Sequence, residues 1–564
     1  MLTSTSSRIS RRAAGHLQRS LKRLVYTSNA EECDVVIVGG GPAGLALASA
    51  LGSSQLVRNS LRIVLVEASD LSKVRDWTPS TGTFSNRVSS LTRMSQEFLQ
   101  AIAWEHVDEE RTSPIQEMQV WDGISDARIE FSAALLGLGS PGQGMARITE
   151  NLNLQRGLLR HLSSFPEVEI LDKTKVQSIE NPEGLGGWPL VHLDDGRVLR
   201  SRLLVGADGF NSPVRSFAKI SSFGWGYDTQ AIVATMFHPP RSAFLGPNTT
   251  AYQRFLPTGP IAFLPISSSA SSLVWSTKPQ LAAALIAAGP AVLGSMVNAA
   301  FRLPDVSMRY LHHRIIDAHE SGSPVSFAQI KAEITWREQS HGIDDTSAYA
   351  SASIDATTVG IPPAGAELLP PLVGSLQPGT VASFPLRFNH ADSYLGEREG
   401  SRTVLVGDAA HTVHPLAGQG LNLGLGDVEC LARCIQNALL QGGDIGSRTT
   451  LLPYAQERYF ENHSIMSVMD KLHKLYSTSL EPVVWARSVG LEVLNEFDSV
   501  KAALMMTAGG DTNSRSDVST WNLAAKGVES LSATADGSKW LLGLVGAGVQ
   551  NLFKTTTRPS QGKD

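Results

Sequence analysis

The residues that could do chemistry lie in a few short segments, and the first is a glycine loop. Cys33-Asp34-Val35-Val36-Ile37-Val38 reads as an apolar strand and runs directly into Gly39-Gly40-Gly41-Pro42-Ala43-Gly44. In such a loop Gly39 permits a tight turn, Gly41 lets the main chain approach a pyrophosphate, and Gly44 lets the next helix pack closely on its strand. A helix opening at Pro42 turns its free N–H groups and positive dipole end toward the same place. A second apolar strand, Leu61-Arg62-Ile63-Val64-Leu65-Val66, ends at Glu67, at the distance beyond Gly44 where this fingerprint places its acid. A carboxylate there can accept hydrogen bonds from ribose hydroxyls. Strand, glycines, helix, strand and acid together predict an α/β dinucleotide-binding unit; the fingerprint alone does not choose between nicotinamide and flavin dinucleotides.

Two later strands also end in turns that carry an aspartate. Arg202-Leu203-Leu204-Val205 leads to Gly206-Ala207-Asp208-Gly209, and Thr403-Val404-Leu405-Val406 leads to Gly407-Asp408-Ala409-Ala410-His411. The second continues as Thr412-Val413-His414-Pro415-Leu416-Ala417-Gly418-Gln419-Gly420-Leu421-Asn422-Leu423-Gly424, a glycine-rich turn entering a helix whose first N–H groups can face a ligand. Asp208 either serves a ligand or caps the turn after its strand. His411 and His414 have a spacing that metal ligands use, yet no carboxylate or cysteine accompanies them, so no metal is expected and His414 reads as positioning the loop before Pro415. Cys430 and Cys434, four apart on the following helix, read as small core residues.

The elements that carry these segments belong to a chain of 564 residues, a length suited to about three to four domain-sized units. Its 42% hydrophobic and 18% charged residues exclude both a disordered chain and a multi-span membrane protein. Three cysteines cannot build a disulfide framework, and the net charge of −5 disfavours a nucleic-acid binder. That charge is uneven. Residues 1–30 hold six basic residues and no acid, and without them 42 basic residues face 53 acidic ones, a net charge of −11. An Arg-rich, Ser-rich, acid-free start with Leu17, Leu21 and Leu24 on one helical face predicts a mitochondrial transit peptide, a plain basic tail being the alternative.

Between 219 and 383, Ala231–Met236, Ile261–Ile266 and Ser272–Trp275 alternate as an antiparallel sheet would. Arg254 in this region could meet a substrate carboxylate or serve as a structural partner within its strand. Residues of about 305–380 hold Pro/Gly/Ala/Ser runs such as Ile361-Pro362-Pro363-Ala364. Near the end, the apolar stretch Lys539–Val545 is too short and Gly-rich to span a bilayer; it packs on the body or lies on a membrane surface.

Together the three loop segments resemble the set shared by aromatic-ring flavoprotein monooxygenases of the para-hydroxybenzoate hydroxylase type. His414-Pro-Leu-Ala-Gly-Gln-Gly-Leu-Asn-Leu-Gly424 is most similar to their ubiquinone-biosynthesis branch. Arg87-Val88-Ser89-Ser90-Leu91, Glu150-Asn151 with Leu154-Gln155, Gln253-Arg254-Phe255-Leu256-Pro257 with Gly259-Pro260, and Phe384-Pro385-Leu386 agree with it, over roughly 31–510.

The resemblance implies an α/β fold: a Rossmann-type FAD-binding domain (31–110, 145–218 and 384–440), an inserted antiparallel β-sheet substrate domain (111–144 and 219–383, enlarged over about 305–380), C-terminal helices (441–510) and an extension (511–564). It implies FAD held by Gly39, Gly41, Gly44, Glu67, Arg87, Gln155, Asp208, Asp408, Pro415, Gly418, Gly420, Leu421 and Asn422, with Glu67 on the adenosine ribose and Asp408 on the ribityl chain. Arg87 could instead be a surface residue making ion pairs. The implied activity is C5-ring hydroxylation of 4-hydroxy-3-polyprenylbenzoate with O2 through a flavin C4a-hydroperoxide, a later ring hydroxylation being open to the same enzyme. Electrons would come from NADPH through ferredoxin reductase and ferredoxin, although a body at −11 offers no large basic dock for an acidic donor. The implied setting is peripheral, on the matrix side of the mitochondrial inner membrane, among other enzymes of a ubiquinone-biosynthesis complex. A flavin hydroxylase or epoxidase of another hydrophobic substrate, and a non-catalytic flavoprotein scaffold, are the alternatives. No catalytic base for the phenol can be read from the residues.

Overall fold

A computed structural model describes residues 30–138, 144–184, 186–241, 243–351, 362–414, 418–498, 501–502 and 504–505. The expected transit peptide (residues 1–29 of it), Pro415 and the 511–564 extension lie outside the described residues. The chain begins with β1 (Glu31–Val38), α1 (Pro42–Ser53), β2 (Ile63–Val66), β3 (Val88–Thr92), β4 (Glu117–Asp122), β5 (Ala146–Glu150), α2 (Asn151–Leu162), β6 (Val168–Leu171) and β7 (Val198–Gly206). Next come β8 (Ser222–Phe237), β9 (Thr250–Leu256), β10 (Gly259–Pro265), β11 (Ala270–Thr277) and the helices α3 (Pro279–Ala287), α4 (Pro290–Arg302), α5 (Asp305–Glu320) and α6 (Phe327–Ser340). The last part holds β12 (Ala382–Ala391), β13 (Thr403–Leu405), β14 (His411–Thr412), α7 (Gln419–Leu440), α8 (Arg448–Tyr476) and α9 (Glu481–Asn495).

Two sheets divide the work. In the first, β6, β2, β1 and β7 lie side by side in parallel, and β13 adds in parallel to the end of β7. Parallel strands covered on both faces must be apolar throughout, and Ile63–Val66 is buried without a break. The 12 residues of α1 are nearly all small or apolar, with Pro42 at its first turn, and Gly44 to Gly52 are buried against this sheet and α7. A run of alanine and leucine favours helix, and its slimness lets it lie close to the strands.

The second sheet has nine strands and is mostly antiparallel; β14, β12, β8, β11, β10, β9 and β4 lie in that order. The strands expected at 231–236, 261–266 and 272–275 are all in it; Ile261–Pro265 alternates between buried and half-buried positions, whereas the first strand does not alternate. Ala231–Met236 is buried throughout because α3 to α6 cover one face, where Ile232, Ala234, Phe263 and Trp275 meet Leu281, Val297 and Phe301. The segment expected to be enlarged, about 305–380, thus supplies helices that close the outer face. The boundary expected at 383/384 falls inside β12, whose residues from Ala382 to Ala391 pair with β8 of the second sheet.

The C-terminal helices bind both layers: toward the first sheet, the Tyr454 hydroxyl of α8 donates to the Leu405 carbonyl oxygen of β13 at 2.6 Å, and toward the second there are two contacts. Arg487 of α9 makes a fully buried ion pair with Asp122 at the end of β4, and Tyr476 of α8 stacks on Phe255 of β9 at 4.0 Å between ring centres.

Candidate functional site

Ligands of open α/β sheets bind beyond the carboxyl ends of the parallel strands. Here β1 ends at Gly39, β2 at Glu67, β7 at Ala207-Asp208 and β13 just before Gly407-Asp408, so four segments far apart in sequence emerge at one rim. Contact confirms that they converge. Gly39 has φ +111°, and a Cβ on it would stand 2.2 Å from the Ala207 carbonyl oxygen; one on Gly44 would stand 1.9 Å from the Gly39 oxygen. A Cβ on Gly407, at φ +59°, would stand 3.2 Å from the Ala43 methyl. Gly41 differs from these, since a Cβ there would meet no protein atom within 4 Å. Packing among the described residues therefore does not require a glycine there.

Glu67 closes over this loop. Its Oε2 accepts the Gly40 N–H at 2.5 Å and its Oε1 accepts the Ser69 N–H at 2.7 Å, which fixes the carboxylate at the end of β2. The helix behind the loop has no side-chain cap at Gly41, leaving first-turn amides free for an anion.

Asp208 fits both sequence readings at once. Its Oδ2 accepts the Val214 N–H at 3.1 Å, the turn-capping role, while its Oδ1 is buried without a partner. Burial pushes its carboxyl above the ordinary range. Arg215 ties this turn to the next one, donating to the carbonyl oxygens of Phe210 and Ala409 at 2.5 and 2.7 Å. Asp408 is solvent-exposed yet densely surrounded by protein, as a group on the floor of a cleft is, and those surroundings raise its carboxyl.

The helix expected after the glycine-rich turn is α7. Its cap is Gly418 in the left-handed conformation (φ +61°) with no side-chain cap, and a Cβ on Gly418 would lie 3.3 Å from Ser90 of β3. Gly420 stands on the first turn beside Val413, and Leu421 packs on the core. Asn422 is committed to protein: it donates to the Ser90 and Gly418 oxygens (2.7 and 3.2 Å) and accepts the Thr92 N–H (2.9 Å). Its side chain locks α7 onto β3 and has no free donor for a cofactor. Arg87, just before β3, is exposed and makes no ion pair among the described residues, and its carbonyl accepts the Asn151 N–H that opens α2; Gln155 lies half-buried one turn into α2. The two residues are thus joined to the rim through β3 and α2.

A residue absent from the sequence reading anchors the turn that follows β13. Asp427, fully buried on α7, accepts the Gly407 N–H at 3.0 Å and meets His411 Nε2 at 2.6 Å, Arg458 Nε at 3.0 Å and Asn462 Nδ2 at 2.9 Å. His411 therefore does have a carboxylate partner, contrary to the sequence reading. That partner lies well beyond the motif, and only the return of α7 across β13 brings the two together. The repeated small residues of Gly424-Leu425-Gly426-Asp427 were the one available signal: a Cβ on Gly424 would stand 3.4 Å from Gly407.

The second sheet reaches the rim directly. Asn389 and His390 of β12 pair with Thr412 and His411 of β14, so the loop after Asp408 is hydrogen-bonded into that sheet. Beside this junction lie Phe223 and Trp225, 38% and 41% exposed, with Trp225 stacked on Phe388 at 4.4 Å; Phe384, paired with Ala231, stands farther back along β12. Arg387 lies over the Phe210 ring at 4.9 Å. Arg254 takes the structural role. It is buried, donates to the Ala300, Leu303 and Gly123 carbonyl oxygens, and so closes the end of α4.

This arrangement fits FAD. Two uncapped helix starts, an open glycine, a fixed carboxylate after β2, and Asp208 with a buried unpartnered oxygen all face one rim.

Comparison with known proteins agrees. The family model described as FAD binding domain matches residues 32–285 and 374–465, leaving out the whole of α4, α5 and α6. The ubiquinone biosynthesis monooxygenase COQ6, mitochondrial, of Saccharomyces cerevisiae is 38% identical over 488 residues, covering 85% of this chain and 94% of the relative. Its Homo sapiens counterpart is 34% identical over 490 residues, covering 84% and 92%. Among solved structures, the p-nitrophenol 4-monooxygenase PnpA of Pseudomonas putida DLL-E4 aligns at TM-score 0.55 and 16% identity, over 84% of this chain and 97% of that one. PqsL of Pseudomonas aeruginosa, a probable FAD-dependent monooxygenase, aligns at TM-score 0.52 and 21% identity, over 82% and 99%. These two likenesses bear on the fold alone.

Proposed function

The chain belongs to the FAD-dependent ubiquinone biosynthesis monooxygenases, and from that premise we propose that it hydroxylates C5 of the ring of 4-hydroxy-3-polyprenylbenzoate. The observation that carries this reading is the junction of β14 with β12. Because Asn389 and His390 pair with Thr412 and His411, the wall on which an aromatic substrate would lie is hydrogen-bonded to the loop that would hold the flavin. Their relative position is then set by main chain, which suits a reaction needing two rings held in register.

Bound FAD, once reduced by the electron donor, would supply the activation of O2. The protein does the rest. First-turn amides of α1 would hold the pyrophosphate, Glu67 the adenosine ribose and Asp408 the ribityl hydroxyls. The amides of Gly418 to Leu421, with the dipole of α7 behind them, favour negative charge on the flavin's pyrimidine edge. Trp225 and Phe223 offer aromatic surface to an apolar substrate and help exclude water from the reacting ring. Arg87, Gln155, Asp208 and Pro415 complete the cofactor contacts in this reading, and Asn422 serves by fixing the helix start.

The relatives' names support a mitochondrial setting, and among the described residues no helix is long and apolar enough to cross a membrane. The reading places the enzyme peripherally on the matrix face of the inner membrane, within a ubiquinone-biosynthesis complex, with electrons from NADPH through ferredoxin reductase and ferredoxin. The test is to supply the purified protein with FAD, these electron carriers and a polyprenyl-hydroxybenzoate. Mass spectrometry is expected to show one added oxygen and NMR to place it at C5. A folded, FAD-loaded protein that leaves this substrate untouched while hydroxylating another would overturn the assignment.

A further inference from the structure

We propose that His414 is the inner end of a buried proton route that carries the substrate's phenolic proton out past His473 to Asp470 and the surface. The inference rests on the ring-hydroxylase reading above and supplies the proton path that such chemistry needs.

His414 is 1% exposed, and neither of its ring nitrogens has a hydrogen-bond partner among the described residues. A neutral imidazole carries one donor and one acceptor, and burying both without partners is costly. A ring so placed calls for ordered water as its partner, and through that water it would meet the substrate's phenol. Its neighbours have fixed roles. His411 is held by Asp427, and His390 Nε2 by the Tyr394 hydroxyl at 3.0 Å. Among the buried histidines of the described residues, only His414 is partnerless at both nitrogens. It stands in the chain between β14 and the cap of α7, on the loop that borders the proposed flavin site.

The way out is built from α8 and β8. The His414 and His473 rings lie 4.7 Å apart, and Tyr227 of β8 stands edge-on to both, at 5.1 and 4.8 Å. The Tyr227 hydroxyl donates to Asp470 Oδ1 at 2.9 Å, and Asp470 Oδ2 pairs with Lys474 at 2.7 Å. His473 is 9% exposed, nearer the surface than His414, and its Nδ1 has no partner among the described residues. The charges that act on it are those of Asp470, Lys474 and Lys278, and Lys278 is itself paired with Asp228 at 3.1 Å. Further partnerless buried hydroxyls gather at the adjoining strand ends: Thr229, Thr258 and Thr277. Thr277 registers against Gln230, next to Thr229, and Gly259, after Thr258, packs against Ser276. Thr229, Thr258 and Thr277 thus bring polar atoms without partners among the described residues close to Lys278, where ordered water would find them.

The transfer balances without any redox change. The phenol O–H breaks as an N–H forms on one His414 nitrogen, while the N–H on the other nitrogen breaks toward His473 and water. The ring ends as its other neutral tautomer, and return of a proton to the hydroxylated product resets it. Burial holds His414 down to about 3, so it passes protons and does not store one.

The test uses the full-length FAD-loaded enzyme and its His414→Gln, His414→Ala and His473→Gln variants, with 4-hydroxy-3-prenylbenzoate as probe. Proton release to an indicator dye is followed when the probe meets oxidised enzyme, and product is measured after chemical reduction and exposure to O2. The expected result is substrate affinity and FAD content as in wild type, with proton release and hydroxylation near pH 7 slowed about a hundredfold. That deficit should shrink toward about pH 10, where a phenol ionises unaided, and imidazole should restore part of the rate in His414→Ala. His473→Gln lies nearer the surface and tests the same route if a core variant fails to fold. Unchanged proton release, or a deficit equal at every pH, overturns the route while leaving the hydroxylase reading intact. A wild-type enzyme that makes no hydroxylated product overturns both.

Discussion

His411 and Asp427 meet in full burial, with Nε2 2.6 Å from Oδ2, and through this contact the helix that would face the flavin is fastened to the strand end that carries Asp408. The same carboxylate holds the Gly407 N–H and, on its other oxygen, Arg458 and Asn462. A carboxylate so placed gathers three elements, β13, α7 and α8, around the turn. Burial raises its pKa, but His411 and Arg458 outweigh that effect and hold it below the ordinary range. Asp427→Asn should therefore cost about 3–5 kcal/mol, seen as a lower urea midpoint together with weakened FAD retention. The sign for pH follows. A depressed carboxylate stabilises the fold above its unfolded value, near 3.9, and this support is lost as pH falls through the lower folded value. The variant should therefore show a shallower acid limb than the parent.

Gly41 and Gly44 separate cofactor binding from folding. An alanine at 44 would drive its Cβ into the Gly39 oxygen at 1.9 Å, whereas an alanine at 41 meets nothing within 4 Å. Gly44→Ala should express as unstable, colourless protein. Gly41→Ala should keep the parent's circular dichroism and melting temperature but bind FAD at least about tenfold more weakly, a loss of about 1.4 kcal/mol. Equal FAD affinity in a folded Gly41→Ala would refute the pyrophosphate assignment.

Asp408 and Asn422 should fail in different ways. Asp408 is exposed on the cleft floor, so Asp408→Ala is expected to raise the FAD dissociation constant about tenfold or more while leaving the apoprotein's stability within about 0.5 kcal/mol. Asn422 joins Ser90, Thr92 and Gly418, so Asn422→Ala should destabilise the apoprotein by about 1–3 kcal/mol. Titration calorimetry with FAD and denaturant unfolding of the apoprotein distinguish the two.

His312, on the helical cover, predicts a second pH effect. Burial holds it at about 4 against an ordinary 6.5, and its ring lies 6.1 Å from Trp275. The unfolded chain takes up a proton there below about pH 6.5 while the folded one does not, so stability falls from pH 6.5 to 4, by about 3 kcal/mol at most, and levels off below. His312→Leu should flatten that part of the stability curve measured by denaturant unfolding.

Much of the cofactor rim was legible in the residues because its logic is local. A strand, a glycine with φ +111° and a helix that must lie against that strand follow one another without a break from β1 to α1, and local sterics dictate the residue types. Asp408 and Gly418 were legible for the same reason, each standing where a strand or helix ends. Asp427 was not, since the small residues before it signal only close packing, and its partner His411 lies back before the start of α7. The two roles of Arg254, substrate carboxylate or structural partner, could be separated only by the main-chain carbonyls that α4 brings to it.

By itself the sequence determined the dinucleotide unit, the apolar strands and the points where they end, because turn conformation and strand burial depend on neighbours a few positions apart. Tertiary structure decided which ends share a rim, that β12 belongs to the second sheet and touches the loop after Asp408, and that His414 faces His473 and Tyr227. Those relations rest on burial and electrostatics between residues far apart along the chain. A carboxylate or imidazole acquires its role only when folding removes water and leaves particular groups, or none, within hydrogen-bond reach.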